Sequence, residues 1–148
     1  MLEADRFPPV ATLVPHRGLA LFIREVVQAE RDGASCIGRI PADSPFVTKG
    51  VAPCLVGIDV AAQAAAVLEA LLRGGDPDDG TSKLGYIVGI REARFETATL
   101  PAGTDLTVHV RLLETVSALA AHEVEVRIGS ARYLSAVLTT FKPRPSLA

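Results

Sequence analysis

The clearest alternation of apolar and polar positions lies late in the chain. Between Asp105 and Leu113, Leu106, Val108, Val110 and Leu112 share one side while Thr107, His109 and Arg111 share the other. That period of two predicts a strand with one buried face. Ala118 to Ile128 repeats the pattern, with Ala118, Ala120, Val124, Val126 and Ile128 inward, Glu123, Glu125 and Arg127 outward, and His122 on the inner set. Gly129-Ser130 then turns the chain into another strand candidate, Ala131 to Phe141. Upstream, Leu19 to Ala29 and Gly33 to Ile40 are strand-compatible runs on either side of the turn signal Arg31-Asp32-Gly33, and Lys83 to Phe95 is a further candidate.

Only one stretch reads as a long helix. Pro53 to Arg73 is rich in Ala and Leu, opens with a proline where the first turn permits one, and stops at Gly74-Gly75. It is apolar on nearly all sides through Ala66, so other elements must surround it, and a curling sheet would do so. Residues 1–9 read as a loose arm, PPVATLV as a short helical turn, residues 41–52 as a Pro/Gly-containing loop, and residues 74–82 as an acidic, solvated loop. The order is strand, strand, long helix, then about four strands, without repeat or internal boundary. This predicts a single α+β domain over residues 1–148, one long central helix wrapped by a curved antiparallel sheet of about five or six strands.

Composition narrows the function. The chain has 148 residues, 49% hydrophobic and 22% charged, a globular balance. Its net charge is -2, with no Lys/Arg cluster, two Tyr, five Phe and no Trp, which leaves no electrostatic or stacking footprint for nucleic acid. Cys36 and Cys54 are too few for a disulfide framework and lack metal-type spacing, and the start MLEADRFPPVATL does not read as a signal peptide. Asp59, Gln63 and Glu69 interrupt the apolar stretch short of the ~20 residues a membrane span needs. A cytoplasmic protein without a metal or a membrane span is expected.

Asp59 is the residue that spacing alone singles out. It lies between Ile58 and Val60 in the most apolar helix, with Gln63 one turn further on the same face. A carboxylate there is costly to bury without partners, and apolar surroundings would raise its pKa toward that of a working acid or base. The plainer alternative is that this face touches solvent or a subunit boundary. Free N–H groups at the helix start, around Val51 to Leu55, could polarise a carbonyl, as every helix start can. Cys54 sits beside them, but no base neighbours it in sequence, which favours a structural thiol. His109 is read as a surface residue, His122 as a satisfied core histidine, and His16 as part of a tight Pro-His-Arg-Gly turn that backbone bonding explains as well as catalysis does.

Taken together, these segments resemble a known family. VPHRGLALFIREVV (residues 14–27) is similar to the LPHRxPxLLxDRV opening of the 3-hydroxyacyl-ACP dehydratases, and SPF (44–46) with GIDVAAQAAA (57–66) to their PFF loop and ExMAQ helix. GVAPCLVGIDVAAQ is similar to the GVPAxVGIExMAQ of a dehydratase-like branch associated with aryl-polyene pigment clusters. The resemblance implies a hotdog fold, a dimer with active sites at the subunit interface, and an acyl chain carried on a phosphopantetheine thioester of acyl carrier protein or coenzyme A, with no other cofactor. It further implies that a helix carboxylate protonates the leaving hydroxyl, a loop histidine removes the α proton, and helix-start amides polarise the thioester carbonyl. By position Asp59 and Gln63 would be the catalytic pair; Val51, Ala52, Pro53, Cys54 and Gly57 would contact substrate; His16 and Arg17 would support them.

One departure stands out. The family's FFxGHFPGxPxxPG loop is here FVTKGVAPC, without histidine anywhere in residues 44–56, and Arg24-Glu25 replaces the Asp-Arg pair. Three functions follow: a dehydratase using Asp59 with another base, a non-catalytic acyl-binding subunit of a heterodimeric dehydratase, or a thioesterase in which Asp59 activates water. A homodimer is the expected assembly, with a heterodimer of related hotdog subunits as its alternative.

Overall fold

The computed structural model describes residues 6–74 and 85–143. After a short 3-10 turn at Val10–Thr12 and another at Gly18–Ala20 come strands β1 (Ile23–Ala29), β2 (Gly33–Gly38) and β3 (Val51–Pro53). Helix α1 (Val56–Leu72) follows, and then β4 (Tyr86–Phe95), β5 (Thr99–Pro101), β6 (Leu106–Val116), β7 (Leu119–Ile128) and β8 (Ala131–Phe141). Six strands form one antiparallel sheet in the order β1-β2-β6-β7-β8-β4, while β3 and β5 pair separately.

The sheet encloses the helix because both were written for it. Leu106, Val108 and Val110 of β6, Val124 and Val126 of β7, and Leu134, Ala136 and Leu138 of β8 are buried against α1 in one core cluster. The helix answers with Val60, Ala61, Ala64, Ala65, Val67 and Leu68. Alanines bring the sheet close. Gly57 takes this furthest, since a Cβ there would stand 2.9 Å from Leu134 Cδ2 and 3.1 Å from Leu100 Cδ1. No helix among the described residues is long and apolar enough to cross a membrane.

The strand alternations and the hairpin at Gly129-Ser130 match expectation, but four details are corrected. Leu19 and Ala20 are not strand: Leu21 N–H closes a 3-10 turn on Gly18 O at 3.2 Å, and β1 starts only at Ile23, where β2 can pair with it. Pro53 does not open the helix. It ends β3, Cys54 N–H reaches Ala98 O at 2.9 Å, and α1 begins at Val56, which places Asp59 in its first turn rather than its second. Strands β3 and β5 were not expected, being three residues each. Within the expected 41–52 loop, Thr48 and Val51 exchange N–H···O bonds at 2.9 and 3.2 Å around a two-residue turn, with Lys49 at φ 53° and Gly50 at φ 80°. Residues 1–5 of the arm, 75–82 of the acidic loop, and Lys83 and Leu84 of the expected fourth strand lie outside the described residues.

Candidate active site

The Pro15-His16-Arg17-Gly18 turn folds back on α1, and several bonds hold it there. Arg17 Nη1 donates to the carbonyls of Val14 and His16, each at 2.7 Å, and Gly18 adopts φ 59°, a left-handed conformation that glycine enters without steric cost. Just beyond the turn, Gln63 clamps the chain to the helix. Its Oε1 accepts Phe22 N–H at 2.8 Å and Ile23 N–H at 3.3 Å, and its Nε2 donates to Ala20 O at 2.6 Å.

Between this arm and the helix lies a cavity of about 330 Å³. Its floor is the stripe Asp59, Ala62, Ala66, Glu69 and Arg73, spaced by three and four residues as one helix face requires. The two alanines keep that floor low. Pro15 and His16 line the arm side, Tyr86 and Ile87 contribute from the start of edge strand β4, and Lys142 from just past β8. The lining is apolar in the middle and titratable at either end.

Asp59 is exposed in the single chain, yet the surrounding wall raises its carboxyl above the ordinary carboxylate range, with His16 drawing it partly back. No hydrogen bond or ion pair joins Asp59 to His16 among the described residues, so the two face the cavity without closing it. His16 Nδ1 is sealed from solvent and has no hydrogen-bond partner. Glu69 is likewise raised by burial, opposed by Lys142 and then Arg73.

Several expected site residues are placed elsewhere. Gln63 does not share the cavity with Asp59. Four residues advance a helix by about 400°, so position 63 rotates some 40° toward the arm, and its fully buried amide is spent on backbone. Gly57 faces Leu134 and Leu100 in the core. Val51, Ala52 and Pro53 form β3, and two of the amides expected to be free around Val51 to Leu55 are not: Val51 N–H goes to Thr48 O and Cys54 N–H to Ala98 O. No backbone carbonyl among the described residues takes the N–H of Leu55, as expected, or that of Val56, one residue beyond the expected stretch. Cys54 is buried, its thiol raised by burial and directed at Tyr133 O at 3.6 Å.

His109 is exposed and bonded to Ser35 Oγ at 2.8 Å, as a surface histidine should be. His122 is inward as expected but not satisfied. It is fully buried, neither ring nitrogen has a partner, and burial lowers its pKa to about 4. Sequence reasoning gave His16 only a supporting place, through the resemblance, and took Glu69 only as a charge in an apolar run. The signal that would have found the pocket is the 59-62-66-69-73 stripe, whose two alanines lie between two acids. A larger, open trough of about 910 Å³ crosses the outer face of the sheet, but its charges pair across strands, Arg111 with Glu123 at 3.3 Å and Arg132 with Glu125 at 3.5 Å.

Comparison with known proteins adds a family to this geometry. Residues 8–148 match the profile of a family described as ApeP-like, ApeP dehydratase. The 3-hydroxyacyl-[acyl-carrier-protein] dehydratase FabZ of Xanthomonas campestris pv. campestris is 28% identical over 126 residues, 80% of each chain. FabZ of Burkholderia thailandensis is 27% identical over 146 residues, 92% of this chain and 89% of the relative. Among solved structures, the dehydratase heterocomplex ApeI:P from Xenorhabdus doucetiae superimposes with a TM-score of 0.84 at 23% identity, covering 95% of this chain and 94% of its own. That likeness shows the hotdog fold.

Proposed function

This chain belongs to the ApeP-like dehydratase family, and from that premise we propose that it eliminates water from 3-hydroxyacyl thioesters borne on the phosphopantetheine arm of an acyl carrier protein. The observation that carries this reading is the raised carboxyl of Asp59 in a cavity whose floor beside it is made by the methyl groups of Ala62 and Ala66. A carboxyl that keeps its proton more readily than usual can hand it to a departing hydroxyl, and the apolar floor suits an acyl chain. The N–H groups of Leu55 and Val56, at the positive end of α1, would polarise the thioester carbonyl and acidify the α carbon. Dehydration involves no net redox change, so it asks for no cofactor beyond the substrate's own carrier arm.

Strand β4 supports a dimeric site. It is a sheet edge whose Tyr86, Val88, Ile90 and Phe95 are all exposed in the single chain. A long apolar edge of this kind is a pairing surface, and here it begins at the cavity wall. A second hotdog subunit pairing there would cover Asp59. The missing loop histidine, with a heterocomplex among its structural relatives, favours a second reading in which the covering subunit is a related, histidine-bearing chain.

The test is Asp59→Asn in the purified protein, alone and with such a partner, assayed with 3-hydroxyacyl-carrier protein by enoyl-thioester absorbance. Loss of about 10²-fold or more with the dimer intact is expected. Free thiol released from a saturated acyl thioester by the parent chain would instead indicate a thioesterase. The same assay with coenzyme A thioesters decides the carrier.

A further inference from the structure

We infer that His16 is the proton acceptor of this site, so that a single chain holds both the acid and the base on one side of the acyl cavity. The inference rests on the dehydratase reading above and adds a residue to it.

Three observations lead there. First, the histidine and the acid are brought to one cavity by different elements, Pro15-His16 from the arm and Asp59 from the first turn of α1. They influence each other electrostatically yet are not bonded, so both side chains stay available to a group bound in the cavity they share. Second, one ring nitrogen is closed off. Nδ1 is enclosed by protein without a partner, which leaves Nε2 as the nitrogen a bound substrate can meet. Third, the arm is held far more firmly than a surface turn needs. Arg17 fixes the His16 carbonyl, and Gln63 contributes three hydrogen bonds, to Ala20, Phe22 and Ile23, the last two buried. Residues 44–56, where the related dehydratases carry a histidine, offer none, and His109 and His122 lie outside the cavity.

The step balances within the pair. His16 Nε2 takes the α proton; the electrons of that C–H bond become the second bond between the α and β carbons; the C–O bond at the β carbon breaks, and the hydroxyl leaves with the Asp59 proton as water. Imidazolium and carboxylate then stand in one cavity, and transfer of one proton from His16 to Asp59 restores both. The other charged groups facing the cavity, Glu69, Arg73 and Lys142, stand at its far end and do not take part.

The test uses the full chain with 3-hydroxyacyl-carrier protein. The wild type alone should turn over, and His16→Ala should lower kcat by about 10²-fold or more with KM, melting temperature and dimer content close to those of the parent. Added imidazole should restore part of that loss, which a merely structural role for His16 would not allow. Three results overturn the inference: His16→Ala at parental kcat while Asp59→Asn is dead, a loss that imidazole does not touch and that follows the melting temperature, or a wild type inert alone and active only beside a histidine-bearing partner. Each of these leaves the dehydratase reading standing. If neither Asp59→Asn nor His16→Ala changes turnover, or if no 3-hydroxyacyl thioester is dehydrated in either setting, the function itself is wrong.

Discussion

Gln63 Oε1, in the second turn of α1, accepts the backbone N–H of Phe22 at 2.8 Å across a sequence separation of 41 residues. This bond and its two companions carry the arm, because no regular ladder serves Ala20 to Phe22 before β1 begins at Ile23. A glutamine can do this where a carboxylate or a hydrocarbon cannot, since it presents an acceptor and a donor together.

Gln63→Leu is therefore expected to destabilise the fold by about 3 kcal/mol, the cost of leaving buried backbone groups without partners. Urea unfolding should show a lower midpoint at an unchanged slope. Gln63→Glu keeps the acceptor but loses the donor to Ala20 and buries a carboxylate against that carbonyl, so it too should be destabilised, and more at neutral pH than in mild acid. A leucine variant as stable as the parent would remove the clamp.

His122 gives the fold a dependence on acid. Its pKa is lowered to about 4 from the ordinary 6.5, so between those values the unfolded chain binds a proton that the folded chain refuses. Stability is fully present above 6.5 and declines as pH falls toward 4. The loss attributable to this ring is roughly 3 kcal/mol. His122→Leu should flatten the profile between pH 6.5 and 4, measured by denaturant midpoints across that range; an unchanged slope would show that another group titrates.

Charges on β4 should separate assembly from folding. Val88→Lys with Ile90→Lys alters side chains 56% and 48% exposed, so each isolated chain should keep its fold. Light scattering should report monomers and activity should vanish, because the cavity wall at Tyr86 and Ile87 lies on the same strand. A variant that stays dimeric would place the interface elsewhere.

Neither thiol should react in the native protein. Burial pushes Cys36 up to about 12 and Cys54 above its ordinary value, so little thiolate exists at about pH 8. Titration with Ellman's reagent should be many-fold slower before unfolding than after, and fast modification of one native thiol would contradict the burial of Cys54 or Cys36.

Most of this fold was legible because periodicity reports burial directly. Leu106, Val108 and Val110, or Val124 and Val126, can face only one way on a pleated strand, and an all-apolar helix leaves the sheet no choice but to surround it. What stayed hidden depends on contacts distant in sequence. Pro53 carries the same residue type in a helix start as at a strand end, and only pairing with Thr99 decides between them. Asp59 was legible as a lone acid from spacing, whereas His16, 43 residues earlier, entered only as a supporting residue through the family resemblance, since nothing local states that the arm folds back. Gln63 was read as the partner of Asp59 because four residues are nearly a full turn. The remaining 40° of rotation sends it to the backbone of Phe22 instead.

The clamped turn at Thr48–Val51 bears on how this site could be rewritten. Its two central residues sit at positive φ, and mutual backbone bonds tie their neighbours, so the segment has no spare length with which to carry a side chain toward another subunit. A histidine typed in at position 48 or 49 would crown the tip of a rigid hairpin. A loop as long as FFxGHFPGxPxxPG would take inserted residues here, since point substitutions leave the hairpin's length unchanged.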